Sequence, residues 1–221
     1  MSKLIWDATG QRVYETGLSK GVLYNQVEGA YPKGVAWNGL ISVTESPSGA
    51  EPTDLWADDM KYGTLRSAET WGGTIEAYTY PDEFAKCDGS AEPVKGVKLN
   101  QQDREPFGFS YVTKKGNDQT AEAGYIIHLV YGASVNPSER NRNTVNDSPE
   151  AMTMSWEVST ISVPVEGFKP VSTLEIDSTK VDAAKLKTFE ELLWGSDSEE
   201  ASLPMPSEVL SHFGYTGTSA N

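Results

Sequence analysis

The sequence has few of the residues on which most catalytic, metal-binding and cross-linked sites depend. It contains one cysteine, Cys87, and two histidines, His128 and His212. One cysteine excludes an intrachain disulfide and any metal site built from several thiolates. His128 lies in an apolar run typical of a strand, and neither histidine has the spacing of a metal ligand. We therefore interpret His128 as a packed sheet residue and Cys87 as a buried, unreactive thiol.

Motifs of the common enzyme classes are also absent. The sequence has no GxSxG, no phosphate-binding loop, no GxGxxG after a strand and no EF-hand loop. The nearest approach to a catalytic carboxylate pair is in three groups of neighbouring acids: Asp58–Asp59, Asp82 and Glu83 with Asp88, and Glu190–Glu191. Adjacent residues of a strand point to opposite faces, so Asp58 and Asp59 are not expected to share one site. We expect no enzyme activity, no catalytic residue, no cofactor and no metal.

Basic residues are scarce as well. Lysine and arginine together number 18 against 32 acids, which gives a formal net charge of −14. A protein that binds nucleic acid by neutralising phosphates needs the opposite balance. The charge is compatible with a surface that repels nucleic acid, or simply with high solubility. No apolar run approaches the roughly 20 residues of a membrane span, and the first residues, MSKLIWDATG, lack a signal-peptide pattern. We expect synthesis in a reducing cytoplasm and no membrane partner.

What the sequence does contain is typical of sheets, with six Trp, ten Tyr and 20 Gly. The region 34–90 predicts three strands at 35–45, 55–66 and 74–80, separated by turn signals. Neither face of the first two strands is cleanly apolar, whereas a monomer with one solvated sheet face alternates more strictly. Because polar and apolar residues are mixed on both faces, we expect these two strands to form a hairpin that lies against other chains.

The remaining pattern predicts a mainly β chain, a single domain over 1–221. The domain begins with an N-terminal arm at 1–9 and ends in an acidic tail at 196–221, which is compatible with a short helix at 206–213. A long polar loop is predicted at 132–149 and one flanking α-helix at 182–194, capped by Asp182. Further strands are predicted at 11–16, 21–26, 107–113, 125–131, 150–165 and 171–177, with an edge strand at 93–99 and a helical turn at 81–87.

Long runs of the sequence resemble the major tail (tail tube) protein of long, non-contractile-tailed bacteriophages. The resemblance covers roughly residues 10–213, in order. The runs that carry it are GVAWNGLISVTESPSGAEPTDLWADDMKY, IEAYTYPDEFAKCDG, FGFSYVTKKGND, GYIIHLVYGASVNPSE, TVNDSPEAMTMSWEVSTISVPV and KPVSTLEIDSTKVDAAKLKTFEELLWG.

The resemblance implies a tail-tube-type β-sandwich or barrel. It also implies that the subunits form homohexameric rings, and that these rings stack into the tube through which genomic DNA passes at ejection. It also implies residence in the virion tail and three partners besides the chain itself: tape measure, tail terminator and distal tail proteins. DNA would cross the lumen without specific binding.

Two sets of residues are candidates for this role. A bore lined by carboxylates repels phosphates, so acids in or beside the long strands are candidate lumen groups, although each is also consistent with an exterior position. The lumen candidates are Asp54, Asp58, Asp59, Glu69 and Glu76. Residues of the loops 46–54 and 132–149 are candidate contacts between rings, or ordinary surface loop. They are Ser46, Pro47, Ser48, Gly49, Glu51, Glu139, Arg140 and Arg142.

Two other functions stay open from the sequence. A tube subunit of a phage-derived injection or secretion machine would share the same subunit physics while carrying protein instead of DNA. More remotely, a carbohydrate-binding β-sandwich would use surface tryptophans and remain a monomer.

Overall fold

The computed structural model describes residues 4–49, 51–145, 147 and 150–217, and within them the chain is mainly β, as predicted. The strands are β1 (Val13–Asn25), β2 (Gly34–Trp37), β3 (Leu40–Glu45), β4 (Ser48–Gly49), β5 (Pro52–Ala57), β6 (Met60–Arg66), β7 (Glu69–Thr70), β8 (Gly72–Ala77), β9 (Ser90–Val94), β10 (Val97–Asn100), β11 (Phe107–Asn117), β12 (Gly124–Val135), β13 (Met154–Thr160) and β14 (Thr173–Asp177). A 3₁₀ turn spans Asp82–Ala85, and two helices follow the strands: α1 (Ala183–Trp194) and α2 (Pro206–Phe213).

The main sheet is rolled into a barrel. Its antiparallel strands run in the order β2-β1-β11-β12-β13-β8-β3, and β14 pairs with the other half of β12. The two end strands, β2 and β3, are consecutive in sequence and only Asn38 and Gly39 separate them. Because two residues cannot span a flat seven-stranded sheet, the sheet curls until its ends meet. Leu40 of β3 accordingly packs on Gly21 of β1, where a Cβ atom would find no room.

The barrel interior is filled by aromatic and β-branched side chains. Trp37, Phe84 and Trp156 form its centre, with ring centroids 4.5 to 5.6 Å apart and mostly edge-to-face. All three are buried, and Phe107, Phe109, Ile75 and Val158 surround them. Edge-to-face pairs of this kind stabilise a core beyond their buried area.

Half of the barrel exterior is covered by the helices, and we call this half the covered wall. It consists of β1, β11, β12 and β14, which present apolar side chains outward as well as inward. Val22, Val112, Ile127 and Leu129 pack there under Leu186, Phe189 and Leu193 of α1 and Val209 of α2. Asp182 caps α1 by accepting from the Ala184 and Lys185 amides at 3.0 Å, as predicted. No helix of the described residues is long and apolar enough to cross a membrane.

The structure corrects several predicted strand boundaries. Residues 11–16 and 21–26, predicted as two strands, form one strand, β1, in which two register shifts absorb the turn-like glycines. The predicted strand 35–45 breaks at Gly39, whose φ is 76°, and its two halves lie at opposite ends of the sheet order. Residues 93–99 belong to a hairpin, β9–β10, rather than to one edge strand.

The largest correction concerns residues 55–66, which were predicted as one strand. They form a hairpin, β5–β6, that turns at Asp58 and Asp59. Both residues have left-handed φ, 50° and 59°, the pattern of a two-residue type I′ turn. Aspartate tolerates this conformation, and the sequence lacks the glycine that usually announces such a turn. The expectation that these two acids point to opposite faces of a strand was therefore wrong.

Other predictions are confirmed. The hairpin 107–131 is present and longer than predicted, the helices lie at 183–194 and 206–213, and a 3₁₀ turn stands within 81–87. Two further bounds are corrected. Only Met154–Thr160 of the predicted strand 150–165 form a strand, β13, and the predicted loop 132–149 begins only after β12 ends at Val135. Residues 146, 148 and 149 of that loop, residues 1–3 of the predicted N-terminal segment 1–9 and residues 218–221 of the tail lie outside the described residues.

Candidate functional site

The uncovered half of the barrel, which we call the bare wall, consists of β3, β8 and β13. Their alternation places Val43, Ile75 and Trp156 inside, so the intervening side chains point outward. The register aligns these outward positions in two rows across the strands. The rows are Ser42, Glu76 and Ser155, and Thr44, Thr74 and Glu157. These six registered positions contain only hydroxyls and carboxylates.

The bare wall is acidic, and a hydrogen bond orients one of its two carboxylates. The Ser42 hydroxyl donates to Glu76 Oε2 at 2.8 Å across the β3–β8 ladder. Residues 137–141 lie beside the wall and complete a trough of about 520 Å³. Glu139 is the third carboxylate of the trough, beside Glu76 and Glu157, and no lysine or arginine is among the described residues that line it. The trough therefore presents concentrated negative charge.

From the bare wall projects a long ribbon, residues 46–70, which we call the arm. The β3–β8 pair continues into β4–β7 and then into β5–β6, so one antiparallel ribbon extends from the edge of the barrel. From the end of β3 to the tip is 12 residues, or about 40 Å at strand spacing. Its described residues are exposed except for Gly63, which is half-buried. The exposed side chains of the arm include Trp56, Met60, Tyr62 and Leu65.

Polar contacts stabilise the arm from within. Asp54 Oδ1 accepts from Lys61 Nζ at 2.8 Å and from the Thr64 hydroxyl at 2.9 Å. These two partners hold the pKa of Asp54 below its ordinary value. At the base of the arm, Ser48 and Thr70 share a hydroxyl contact of 3.1 Å.

The structure separates the five lumen candidates into two groups. Glu76 alone lies on the bare wall, whereas Asp54, Asp58, Asp59 and Glu69 lie on the arm. Glu157 of the bare wall was not among the predicted lumen candidates. The strict alternation of 152–158 nevertheless places it on a polar face.

The candidate ring contacts also fall in different places. Ser46, Pro47, Ser48, Gly49 and Glu51 form the exposed base of the arm. The other three candidates lie in the segment after β12: Glu139, Arg140 and Arg142. Glu139 lines the trough, Arg142 is exposed, and Arg140 forms an ion pair with the buried Asp88 of the same chain.

The titratable residues singled out from the sequence occupy structural positions. His128 is buried, stacks on Tyr111 at 4.6 Å and lies with Nε2 2.8 Å from the Thr113 hydroxyl, as a packed sheet residue. His212 Nε2 donates to the Lys185 carbonyl at 2.7 Å. Burial raises the pKa of the Cys87 thiol to about 12. Within the described residues, no group of three His, Cys, Asp or Glu could hold a metal ion.

Comparisons with known proteins find similar solved structures, among them two tube structures, and no match by sequence. No protein-family model and no curated protein matches the chain. The SPP1 tail tube is similar over 82% of this chain and 84% of that chain, at 12% identity and a TM-score of 0.40. The sheath–tube complex of PVC, an extracellular contractile injection system, in its extended state is similar over 72% of this chain and 88% of that one, at 11% identity and a TM-score of 0.33.

Proposed function

We propose that this chain is a virion structural protein, the subunit of a phage tail tube. Copies of it form rings, six-fold by the sequence resemblance, and the rings stack into the conduit for genomic DNA. One observation carries the proposal: the barrel has a bare, acidic outer wall opposite its helix-covered wall, and an arm with exposed apolar side chains projects beside it.

The bare wall suits the inner surface of a DNA conduit. Duplex DNA carries one negative charge per roughly 1.7 Å of axis, so a basic bore would bind it and retard its passage. A wall of hydroxyls with Glu76, Glu157 and the adjacent Glu139 repels phosphates while remaining hydrated. The helices would then face the outside of the tube. Of the five acids proposed from the sequence for the lumen, Glu76 is the one that this arrangement favours.

The arm suits a contact between subunits. An isolated two-stranded hairpin is at best marginally stable in water, and apolar side chains left bare on a surface mark an interaction site. Rings that stack need a head-to-tail contact between unlike surfaces in addition to the contact that closes the ring. The arm and its base, with Ser46 to Gly49 and Glu51, are our candidates for the stacking contact, and Arg142 remains a candidate in the second segment.

The proposal assigns the chain no catalytic role and no cofactor. Its first partner is the chain itself, and tape measure, tail terminator and distal tail proteins complete the assembly. It is made in the bacterial host and acts in the virion tail.

Electron microscopy of negatively stained protein tests assembly. Rings or tubes of uniform bore are expected, whereas a monomer that persists at high concentration with tail-assembly partners present would overturn the proposal.

Charge reversal tests the conduit. Phage carrying Glu76→Lys with Glu157→Lys should still form tails, since both side chains point away from the core, but should deliver DNA at least 10-fold less efficiently. Glu191→Lys with Glu199→Lys makes the same charge change at exposed positions in and after α1, and should leave delivery unchanged. Equal delivery by both variants would remove the bare wall from the DNA path. A tube-forming chain whose assemblies hold protein instead would identify an injection machine.

A further inference from the structure

Two hairpins leave apolar side chains bare, and they lie at opposite ends of one strand. The arm joins β8 at its amino end, where Gly72 follows β7 and Trp71. The hairpin β9–β10 follows the carboxyl end of β8, after the 3₁₀ turn. β8 has six residues and is therefore about 20 Å long. The two hairpins of one subunit are thus separated by the length of the barrel wall.

One side of the arm forms an apolar surface, the arm face. The register pairs Leu55 with Gly63, Ala57 with Met60 and Thr53 with Leu65, and paired residues share a side of the ribbon. Leu55, Met60 and Leu65 are 40%, 62% and 59% exposed.

The hairpin β9–β10 presents a matching apolar surface, the receptor face. Val94 pairs with Val97 and Leu99 pairs with Ala91. Val94, Val97 and Leu99 are each more than half exposed. Lys95 and Gly96 form the turn, and the Gly96 amide donates to Glu92 Oε1 at 2.6 Å, which orders the tip.

The two hairpins carry opposite charge. The arm has five acids and two bases, and its turn consists of Asp58 and Asp59. The strands and turn of β9–β10 have two bases and one acid, and their turn carries Lys95. In the part of the chain that the structure describes, none of these three turn residues has an ion-pair partner. The two turns thus carry charge of opposite sign and would attract each other.

We propose that the arm face of one copy docks on the receptor face of the next copy along the tube, with Asp58 and Asp59 against Lys95. The occupant is a second copy because the two faces of one subunit lie at opposite ends of β8 and cannot meet. A head-to-tail contact between unlike ends repeats without limit along an axis, which is the geometry of stacked rings. The inference rests on the proposed tube function and names the surfaces that join one ring to the next.

A disulfide test reads this contact directly. Tubes of the double variant Met60→Cys, Val97→Cys are oxidised and run on a non-reducing gel. The native Cys87 is fully buried, with its thiol pKa raised to about 12, so it does not compete. A ladder of covalent dimers, trimers and longer chains is expected. The control is Met60→Cys with Val13→Cys, since Val13 and Val97 are both 53% exposed, and it should give no ladder.

The outcomes separate the inference from the proposed function. Tubes without a ladder, or with the same ladder in the control, overturn the docking of these two faces and leave the tube function standing. Absence of tubes from the unaltered chain, with its partners present, overturns both.

A charge exchange covers the case in which the cysteine variants do not assemble. Asp58→Lys alone and Lys95→Asp alone should each raise the protein concentration needed for tube formation at least 10-fold. The combined variant should restore it to within about 3-fold of the unaltered chain. Failure of the combined variant to recover, while each single variant is defective, overturns the pairing of these tips.

Discussion

The covered wall and the bare wall belong to one barrel and share one interior, yet their outer faces differ completely. Outward residues of the covered wall, such as Val112 and Leu129, are buried under α1 and α2. At the six registered positions, the outward residues of the bare wall are hydroxyls and carboxylates. Antiparallel sheets commonly leave one face to water, and such a face ordinarily mixes both signs of charge. At its six registered positions the bare wall carries only negative charge, a pattern that fits the proposed DNA conduit.

The arm makes the same contrast sharper, because it exposes large apolar side chains such as Trp56, Met60 and Leu65 beside its charged ones. Side chains of the covered wall bury their apolar area within the subunit. Those of the arm find no cover within the described part of the chain, so only another molecule can bury them. Under the proposed function, one subunit therefore has separate surfaces for folding, for assembly and for DNA transport.

The largest predicted effect is on stability, and it compares a residue of α1 that packs on the covered wall with a residue of the bare wall. Phe189→Ala should lower the free energy of unfolding by about 3–5 kcal/mol, because it leaves a cavity between α1 and the covered wall. Thr44→Ala on the bare wall should change it by about 0.5 kcal/mol or less. Urea unfolding of the unassembled chain measures both. A comparable cost for Thr44→Ala would show that the bare wall is also a packing surface.

The second effect concerns the polar contacts of each wall. Burial alone would raise the pKa of Asp177, but hydrogen bonds from Lys115 at 2.5 Å and from Thr179 outweigh it and hold that pKa below its ordinary value. Asp177→Asn should therefore cost about 2 kcal/mol at pH 7. Ser42→Ala, which removes the bond to Glu76 on the bare wall, should cost about 1 kcal/mol or less.

The pH dependence of the Asp177→Asn cost has a definite sign. A carboxyl whose pKa is lowered by folding stabilises the folded state fully above its unfolded pKa of about 3.9. That contribution is lost as the pH falls through the lower, folded-state pKa. The difference between the unaltered chain and Asp177→Asn should thus be constant near neutrality and should shrink below about pH 4. A difference that grows as the pH falls would contradict the assigned contacts.

The smallest effect is expected at the tip of the arm. Asp59→Gly should stabilise the β5–β6 hairpin by about 0.5 kcal/mol or less, since glycine adopts a φ of 59° without strain. Thr53→Gly, within β5, should weaken it because glycine in a strand gains unfolded-state entropy. Amide exchange of residues 52–66 in the unassembled chain reports both signs. Faster exchange in Asp59→Gly would contradict the left-handed turn.

Sequence reasoning located most elements correctly where periodicity was strong. The alternation within 152–158, the apolar stripe of 182–194 and its Asp182 cap are local properties, and the structure has the alternation from Met154 onward, the stripe and the cap. Prediction failed where a turn is formed by residues that tolerate a positive φ but do not usually mark a turn in the sequence. Asp58–Asp59 lacks the glycine that marks most type I′ turns, so two strands were predicted as one.

The candidate site was predictable only in part. The polar alternation of 152–158 identified an outward hydrophilic face. The mixed polarity of both faces of 35–66 indicated a hairpin that the rest of its own chain does not bury. The alignment of Glu76 with Ser42 and Ser155 required the register of three strands. Two of them, β3 and β8, are joined by the arm, and the third, β13, follows more than 70 residues later.

By itself, the sequence determined a mainly β chain of strong negative charge, with too few thiols and imidazoles for most metal or nucleophilic sites. These properties follow from composition and short-range periodicity, which can be read from each segment without knowing how it packs against the others. Only the tertiary structure decided that β2 and β3 close a barrel, that the helices cover one wall, and that the acids divide between a wall and an arm. Those outcomes depend on which strands pair, and pairing between distant segments is set by the burial of the whole core rather than by any local pattern.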